Sequence, residues 1–289
     1  MIELLAEAEQ RRLRECASQA AADFGNSVRA IYGSSSATER LPQHVGSCIL
    51  LDIDGTRVVS TAAHIADETT HGGVLFIAGP VRLELVPMLG SIKATAPPGG
   101  NRNLDHSDCA FWRVPDGMVE DLGAANFLDT SRLSQNRAPH EDRYYAAFGY
   151  TTSRNAERVD HIKRTITAVP SMHAGNAVLD PALARKLHSS DDQHIFVRFA
   201  KKAEDEYGAK ANVFHPKGFS GGALLDLGDF TSPEIYAGGT KDRARLAGMI
   251  IEYHKEHRAL VAVKIGPIVE GIRKALRGLP TVVMPSPAR

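Results

Sequence analysis

The feature that most narrows the fold is a train of short β-rich runs broken by turn residues. It is clearest where Cys48-Ile49-Leu50-Leu51-Asp52 and Thr56-Arg57-Val58-Val59-Ser60 flank Ile53-Asp54-Gly55. An Asp-Gly pair between two such runs signals a hairpin, because tight hairpin turns need positive φ. Residues 27–32, 74–77 and 81–86 supply further strand-like runs, with Ser34-Ser35-Ser36, Pro42 and residues 97–101 as loops. Short strands at this spacing point to a small β-barrel. The pattern repeats in the second half, at residues 144–150, 161–169, 194–199, 245–253 and 259–263. Between the halves, residues 115–142 carry Gly, Pro, Asp and Asn with few strand-like runs, and read as a connection.

Helices are expected only outside or between the strands. Residues 2 to about 23 hold no Gly or Pro, and place Ile2, Ala6, Leu13, Cys16, Ala17 and Ala20 on one weak apolar face that Glu9 interrupts. Such a helix packs on the outside of the body or, less economically, docks a partner. Residues 181–188 read as a short helix with proline in its first turn, and residues 267–276 as a closing helix. The expected parts are an N-terminal helix (1–25), a first barrel (26–115), a connection (116–142) and a second barrel with a closing helix and tail (143–289).

Composition removes several classes of function. Lys plus Arg equals Asp plus Glu at 34 each, so no global field draws the 289-residue chain to nucleic acid or an anionic membrane. No apolar stretch approaches membrane-spanning length, and the acidic first residues lack the pattern of a signal peptide. Cys16, Cys48 and Cys109 are odd in number and far apart, as expected of reduced thiols acting as small hydrophobes. A cytoplasmic location is the expectation. There is no H-E-x-x-H and no close cysteine pair, so neither a metal nor another cofactor is expected.

The chemistry-bearing stretch is Pro216-Lys217-Gly218-Phe219-Ser220-Gly221-Gly222, ahead of the apolar run Ala223-Leu224-Leu225. A serine among three glycines suits acyl transfer, which needs an exposed hydroxyl and backbone N–H groups aimed at the developing oxyanion. On its own the stretch also fits a glycine-rich turn between strands. Two upstream stretches add to it: Val58-Val59-Ser60-Thr61-Ala62-Ala63-His64, and Ser107-Asp108 leading into Cys109-Ala110-Phe111-Trp112.

In the order His64, Asp108, Ser220 the chain resembles the chymotrypsin/trypsin-like serine peptidases over roughly residues 26 to 276. The resemblance implies an all-β fold of two six-stranded antiparallel barrels, here with added N- and C-terminal helices. It implies His64 as base, Asp108 as its orienting acid and Ser220 as nucleophile, with the amides of Gly218 and Ser220 as oxyanion hole. Asp105 competes for the acid role. Phe214, six residues before the serine, stands where the family has its pocket floor, and gives no support to a preference for Arg or Lys. His215, Glu252 and Tyr253 are further candidates to touch substrate. The substrate would be a protein or peptide, and a regulatory protein partner is possible because no propeptide is evident. Two family features are missing: the residue before the serine is Phe219 rather than Asp, and no segment like I-V-G-G precedes the first strand. The G-x-S-x-G pattern also fits the α/β-hydrolase elbow, but only 69 residues follow Ser220 and strand–helix alternation is lacking before it. A binding module that recognises a peptide without turnover remains the other reading.

Overall fold

The β-rich runs pair into two antiparallel sheets. The computed structural model describes residues 2–35, 42–70, 72–78, 85–88, 90–134, 142–156, 159–160, 165–186, 192–204 and 209–278. The first sheet contains β1 (Val28–Ser35), β2 (Gln43–Ile53), β3 (Thr56–Ala62), β4 (Gly73–Ala78), β5 (Leu85–Pro87), β6 (Ile92–Ala94) and β7 (Cys109–Arg113). Its seven strands, one more than expected, run in the order β5-β4-β1-β2-β3-β7-β6. The hairpin falls where the Asp-Gly pair requires it. Ile53 pairs with Thr56, and Asp54 and Gly55 take φ of 52° and 82°, the double positive φ of a type I′ turn.

The continuous apolar run of β2 has a physical reason. Ile49 and Leu51 face the core that also holds second-sheet residues, whereas Cys48 and Leu50 face the first sheet's own interior. A strand covered on both faces loses the polar alternation of a half-exposed one.

The second half of the chain contains β8 (Arg143–Tyr150), β9 (Val159–Asp160), β10 (Thr165–Ile166), β11 (Pro170–Asn176), β12 (His194–Arg198), β13 (Lys202–Glu204), β14 (Lys210–Asn212), β15 (Ala223–Asp229), β16 (Arg245–His254) and β17 (Ala259–Lys264). Six of these form a sheet in the order β11-β8-β15-β16-β17-β12, and β9/β10 and β13/β14 are two-stranded ribbons. The fold is the expected all-β double barrel, with a helix at each end. Of the strand expected over residues 161–169, only Thr165–Ile166 is a strand, and residues 161–164 lie outside the described residues. Residues 81–84 of another expected strand also lie outside them. Strand β11 escapes sequence reading because Pro170, Ser171, Gly175 and Asn176 are turn formers. Pairing with β8 along its whole length overrides them.

Helix α1 (Ile2–Phe24) lies against the second half of the molecule. Cys16, Ala17, Ala20 and Phe24 are buried in the core, while Ala6 is exposed, so the apolar stripe engages only from Leu13 onward. Arg12 anchors the helix by donating from Nε to Ile235 O at 2.7 Å and from Nη2 to Gly238 O at 2.8 Å. After the single turn of α2 (Ala63–Ala66), the connecting segment holds α3 (Asp116–Leu122), with Val119 and Leu122 buried. Leu128 closes it by exchanging backbone bonds with Leu50 and Asp52 at 3.0 and 2.8 Å. Past α4 (Thr152–Asn155) and α5 (Pro181–Lys186), α6 (Ile265–Arg277) ends the described chain and buries Ile265, Ile268, Val269 and Ile272, a helical i, i+3, i+4, i+7 stripe. Cys16, Cys48 and Cys109 are free thiols, and burial pushes Cys48 and Cys109 up to about 12. No helix among the described residues is long and apolar enough to cross a membrane.

Candidate active site

The site is built where the two sheets meet. Strand β3 ends at Ala62, paired with Cys109 at the start of β7, so Asp108 arrives opposite the first turn of α2. Three bonds lock that meeting. Ala63 N donates to Asp108 O at 3.0 Å, His64 N donates to Asp108 Oδ1 at 2.9 Å, and His64 Nδ1 lies 2.6 Å from Asp108 Oδ2. The carboxylate thus grips the residue that carries the imidazole as well as the imidazole itself. With Nδ1–H on the carboxylate, Nε2 is left as the acceptor.

Asp105 plays a different part. Its Oδ1 accepts the amides of Ser107 and Asp108 at 3.2 and 3.1 Å, and its Oδ2 accepts from Arg102 at 2.5 Å and from Thr95 Oγ1. These bonds support the turn in which Asp108 holds a φ of 33°, strained for a residue with a side chain. Asp108 is 7% exposed. Partial burial opposes a charged His64, but the hydrogen bond and charge of Asp108, with Asp67 beyond, outweigh it and raise the imidazole above its usual 6.5.

The serine turn is fixed by its backbone. Phe219 N donates to Pro216 O at 2.9 Å, Gly222 N to Phe219 O at 2.8 Å and Gly221 N to Ile250 O at 2.7 Å. The carbonyls are turned into the body: Lys217 O accepts from Thr152 N at 2.8 Å, Ser220 O from Ser47 N at 2.9 Å, and Gly218 O from Ser47 Oγ at 3.0 Å. In a trans peptide N–H and C=O point to opposite sides, so burying Lys217 O turns Gly218 N–H outward. The amides of Gly218 and Ser220 have no acceptor among the described residues, while those of Phe219, Gly221 and Gly222 are bound. Gly221, at φ 82°, has room for nothing larger: a Cβ there would overlap Ser47 O and Thr61 Oγ1.

Phe219, where the family pattern has Asp, is 1% exposed. Its ring meets Phe214 edge-on at 5.1 Å and fills the space above Gly149. An apolar wedge therefore seats the loop where the family pattern has an ion pair. Ser47 joins the halves, since its Oγ also accepts from Tyr150 N at 2.9 Å. Beneath Gly218 lies His44, which burial lowers to about 4 and which stays neutral near pH 7.

His64 belongs to the first-sheet side and Ser220 to the second-sheet side, with Gly46 of β2 between their two turns. A Cβ on Gly46 would meet Ile65, the neighbour of His64, on one side and Ser220 O on the other. The hydroxyl of Ser220 donates to Ile251 O at 3.2 Å rather than to His64. The remaining candidates border the serine side. Phe214 and Tyr253 both pack on Phe199, at 5.9 and 5.3 Å, and His215 meets Tyr253 at 6.3 Å. Glu252, 60% exposed, pairs with His254 at 3.0 Å, which holds its carboxyl below the usual range. The structure adds Ser47, His44, Thr152, Phe199 and Ile251 to the site. None carries a sequence signal, because their parts are set by pairings across the two sheets.

No family model and no curated protein matches the sequence. Among solved structures the chain is similar to the serine endoprotease from Yersinia pestis, with a TM-score of 0.51 and 14% identity over 91% of this chain and 67% of that one. At that identity the likeness is one of fold, and the fold is an all-β, trypsin-like double barrel.

Proposed function

We propose that the protein is a serine endopeptidase that cleaves protein or peptide chains through an acyl-enzyme. The observation that carries this is the 2.6 Å bond from His64 Nδ1 to Asp108 Oδ2, with the Ser220 turn on the other side of Gly46 from Ile65, the neighbour of His64. In the proposed reaction Ser220 Oγ turns from Ile251 O toward His64 and attacks the peptide carbonyl carbon. His64 Nε2 takes the hydroxyl proton, and the carbonyl oxygen, now an oxyanion, lies against the amides of Gly218 and Ser220. His64 returns the proton to the leaving nitrogen as the C–N bond breaks. A water then repeats the sequence on the ester and frees Ser220. Phe214, His215, Glu252 and Tyr253 border the substrate cleft. The three free thiols suit a reducing compartment.

The hydroxyl's rest position on Ile251 O favours a second reading, in which the cleft binds a peptide silently until a protein partner turns Ser220 toward His64. Labelling with a fluorophosphonate separates the two. Labelling of the native chain that is lost in Ser220→Ala supports the peptidase. Equal labelling of both removes Ser220 as nucleophile. No labelling, with peptide binding that survives Ser220→Ala, supports the silent module.

A further inference from the structure

A polar cavity lies at the far end of the second sheet. It holds about 770 Å³, within the size range of small-molecule sites. Asp226–Asp229 of β15, Arg143 of β8 and Arg245 of β16 line it. At about 3.3 Å per residue, β15 places it on the order of 20 Å from the serine turn.

Its unusual feature is Arg143, whose side chain is 9% exposed and whose one acidic partner among the described residues, Asp226, is 8% exposed. Only Nε is engaged, at 3.0 Å from both Asp226 oxygens. The carboxylate is completed by Ser134 Oγ at 3.2 Å and Gly228 N at 3.0 Å, so it has no capacity left for the two terminal nitrogens of Arg143. Those nitrogens have no acceptor among the described residues, although their residue lines the cavity. Arg243 and Arg245 add two more guanidiniums, held among the described residues by backbone carbonyls: those of Glu234, Ala237 and Gly239 for Arg243, and those of Asp242 and Ala244 for Arg245. The terminal nitrogens of Arg143 are not among the fully buried unpaired atoms, so the fork opens into the cavity, where a planar anion can pair with both.

We infer that this cavity binds a carboxylate, received by the terminal nitrogens of Arg143 with Arg245 alongside. The planar fork matches a carboxylate's two oxygens. The three lining arginines, Arg143, Arg243 and Arg245, are matched by three acids, Asp226, Asp229 and Glu234, so the lining has no excess positive charge to hold a dianion, which favours a carboxylate over a phosphate. The site is independent of the peptidase reading, because it shares no residue with the cleft.

Calorimetric titration of the full chain at fixed ionic strength tests it, with N-acetylglycine, N-acetyl-tetraglycine, the amide of that tetrapeptide, and inorganic phosphate as probes. The expected result is saturable binding of at least one acid, at least tenfold weaker binding of the amide, and phosphate no tighter than the acids. A tetrapeptide acid tighter than N-acetylglycine marks a chain terminus as occupant; equal affinities mark a small organic acid. Arg143→Gln is expected to weaken binding at least tenfold. Because that variant strands Asp226, Arg245→Gln, which leaves the buried pair intact, is the second probe and is expected to weaken binding severalfold. Absence of saturable binding, equal binding of acid and amide, tighter binding of phosphate, or unchanged affinity in a folded Arg143→Gln or in Arg245→Gln would overturn the inference.

Discussion

The two sides of the candidate site are held by different forces. On the first-sheet side, His64 and Asp108 are fixed by charged side chains: the Asp108 carboxylate takes both the backbone and the ring of His64, and Asp105 with Arg102 braces it from behind. On the second-sheet side, the serine turn is fixed by backbone bonds, glycine fit and the buried ring of Phe219. The first arrangement responds to pH and to loss of one charge. The second responds to volume. The base needs a tuned pKa, which only neighbouring charges supply, whereas an oxyanion site needs N–H groups in fixed directions, which packing supplies at no electrostatic cost.

The largest effect should come from the charged side. Asp108→Asn removes the two larger influences that raise His64, leaving Asp67, and turns a pure acceptor into an amide that can select the wrong tautomer. By the precedent of triad hydrolases, kcat/KM toward a peptide substrate falls on the order of 10⁴-fold, with the melting temperature little changed by comparison. A fall of less than tenfold would mean that Asp108 does not orient the base.

Phe219→Ala tests the packed side. It empties a buried site against Phe214 and Gly149 and should cost about 3–5 kcal/mol in chemical denaturation. Activity should drop with it even in the folded fraction, because the Gly218 peptide loses its seat. Full specific activity in the folded fraction would show that the wedge does not hold the loop.

Ser47→Ala is a smaller change that touches both sides. It leaves Gly218 O and Tyr150 N without their shared partner, at about 1–3 kcal/mol, and should lower kcat about tenfold with little change in KM. An unchanged kcat would confine Ser47 to stability. The gentlest probe is pH. A base must be neutral, so kcat/KM should rise with pH through a midpoint above 6.5, and Asp108→Asn should move that midpoint down. The linked stability has the opposite sense: the pair stabilises the fold fully below the unfolded value near 6.5, and this is lost as pH rises through the raised value.

Much of this was legible in the sequence, and what was missed has a common cause. The Asp54-Gly55 hairpin, the approach of β3 to His64 and the serine turn are local, so short motifs encode them. Asp108 was separable from Asp105 because a strand follows it. The parts of Ser47, Thr152 and Phe199 depend on which strand lies beside which, and no short window contains that. Phe219 was visible only as a departure from the family pattern, and its burial against Phe214 gives the departure a physical meaning. Strand β11 was hidden because pairing with β8 outweighed its turn-forming residues.

The central claim is that His64, Asp108 and Ser220 act as one unit. It is tested most directly by peptide mapping of the chain after fluorophosphonate treatment across a pH series. The account predicts a single adduct on Ser220, formed at a rate that climbs through a midpoint above 6.5 and is nearly abolished in Asp108→Asn. An adduct on another residue, or a rate on Ser220 indifferent to pH and to Asp108→Asn, would contradict it.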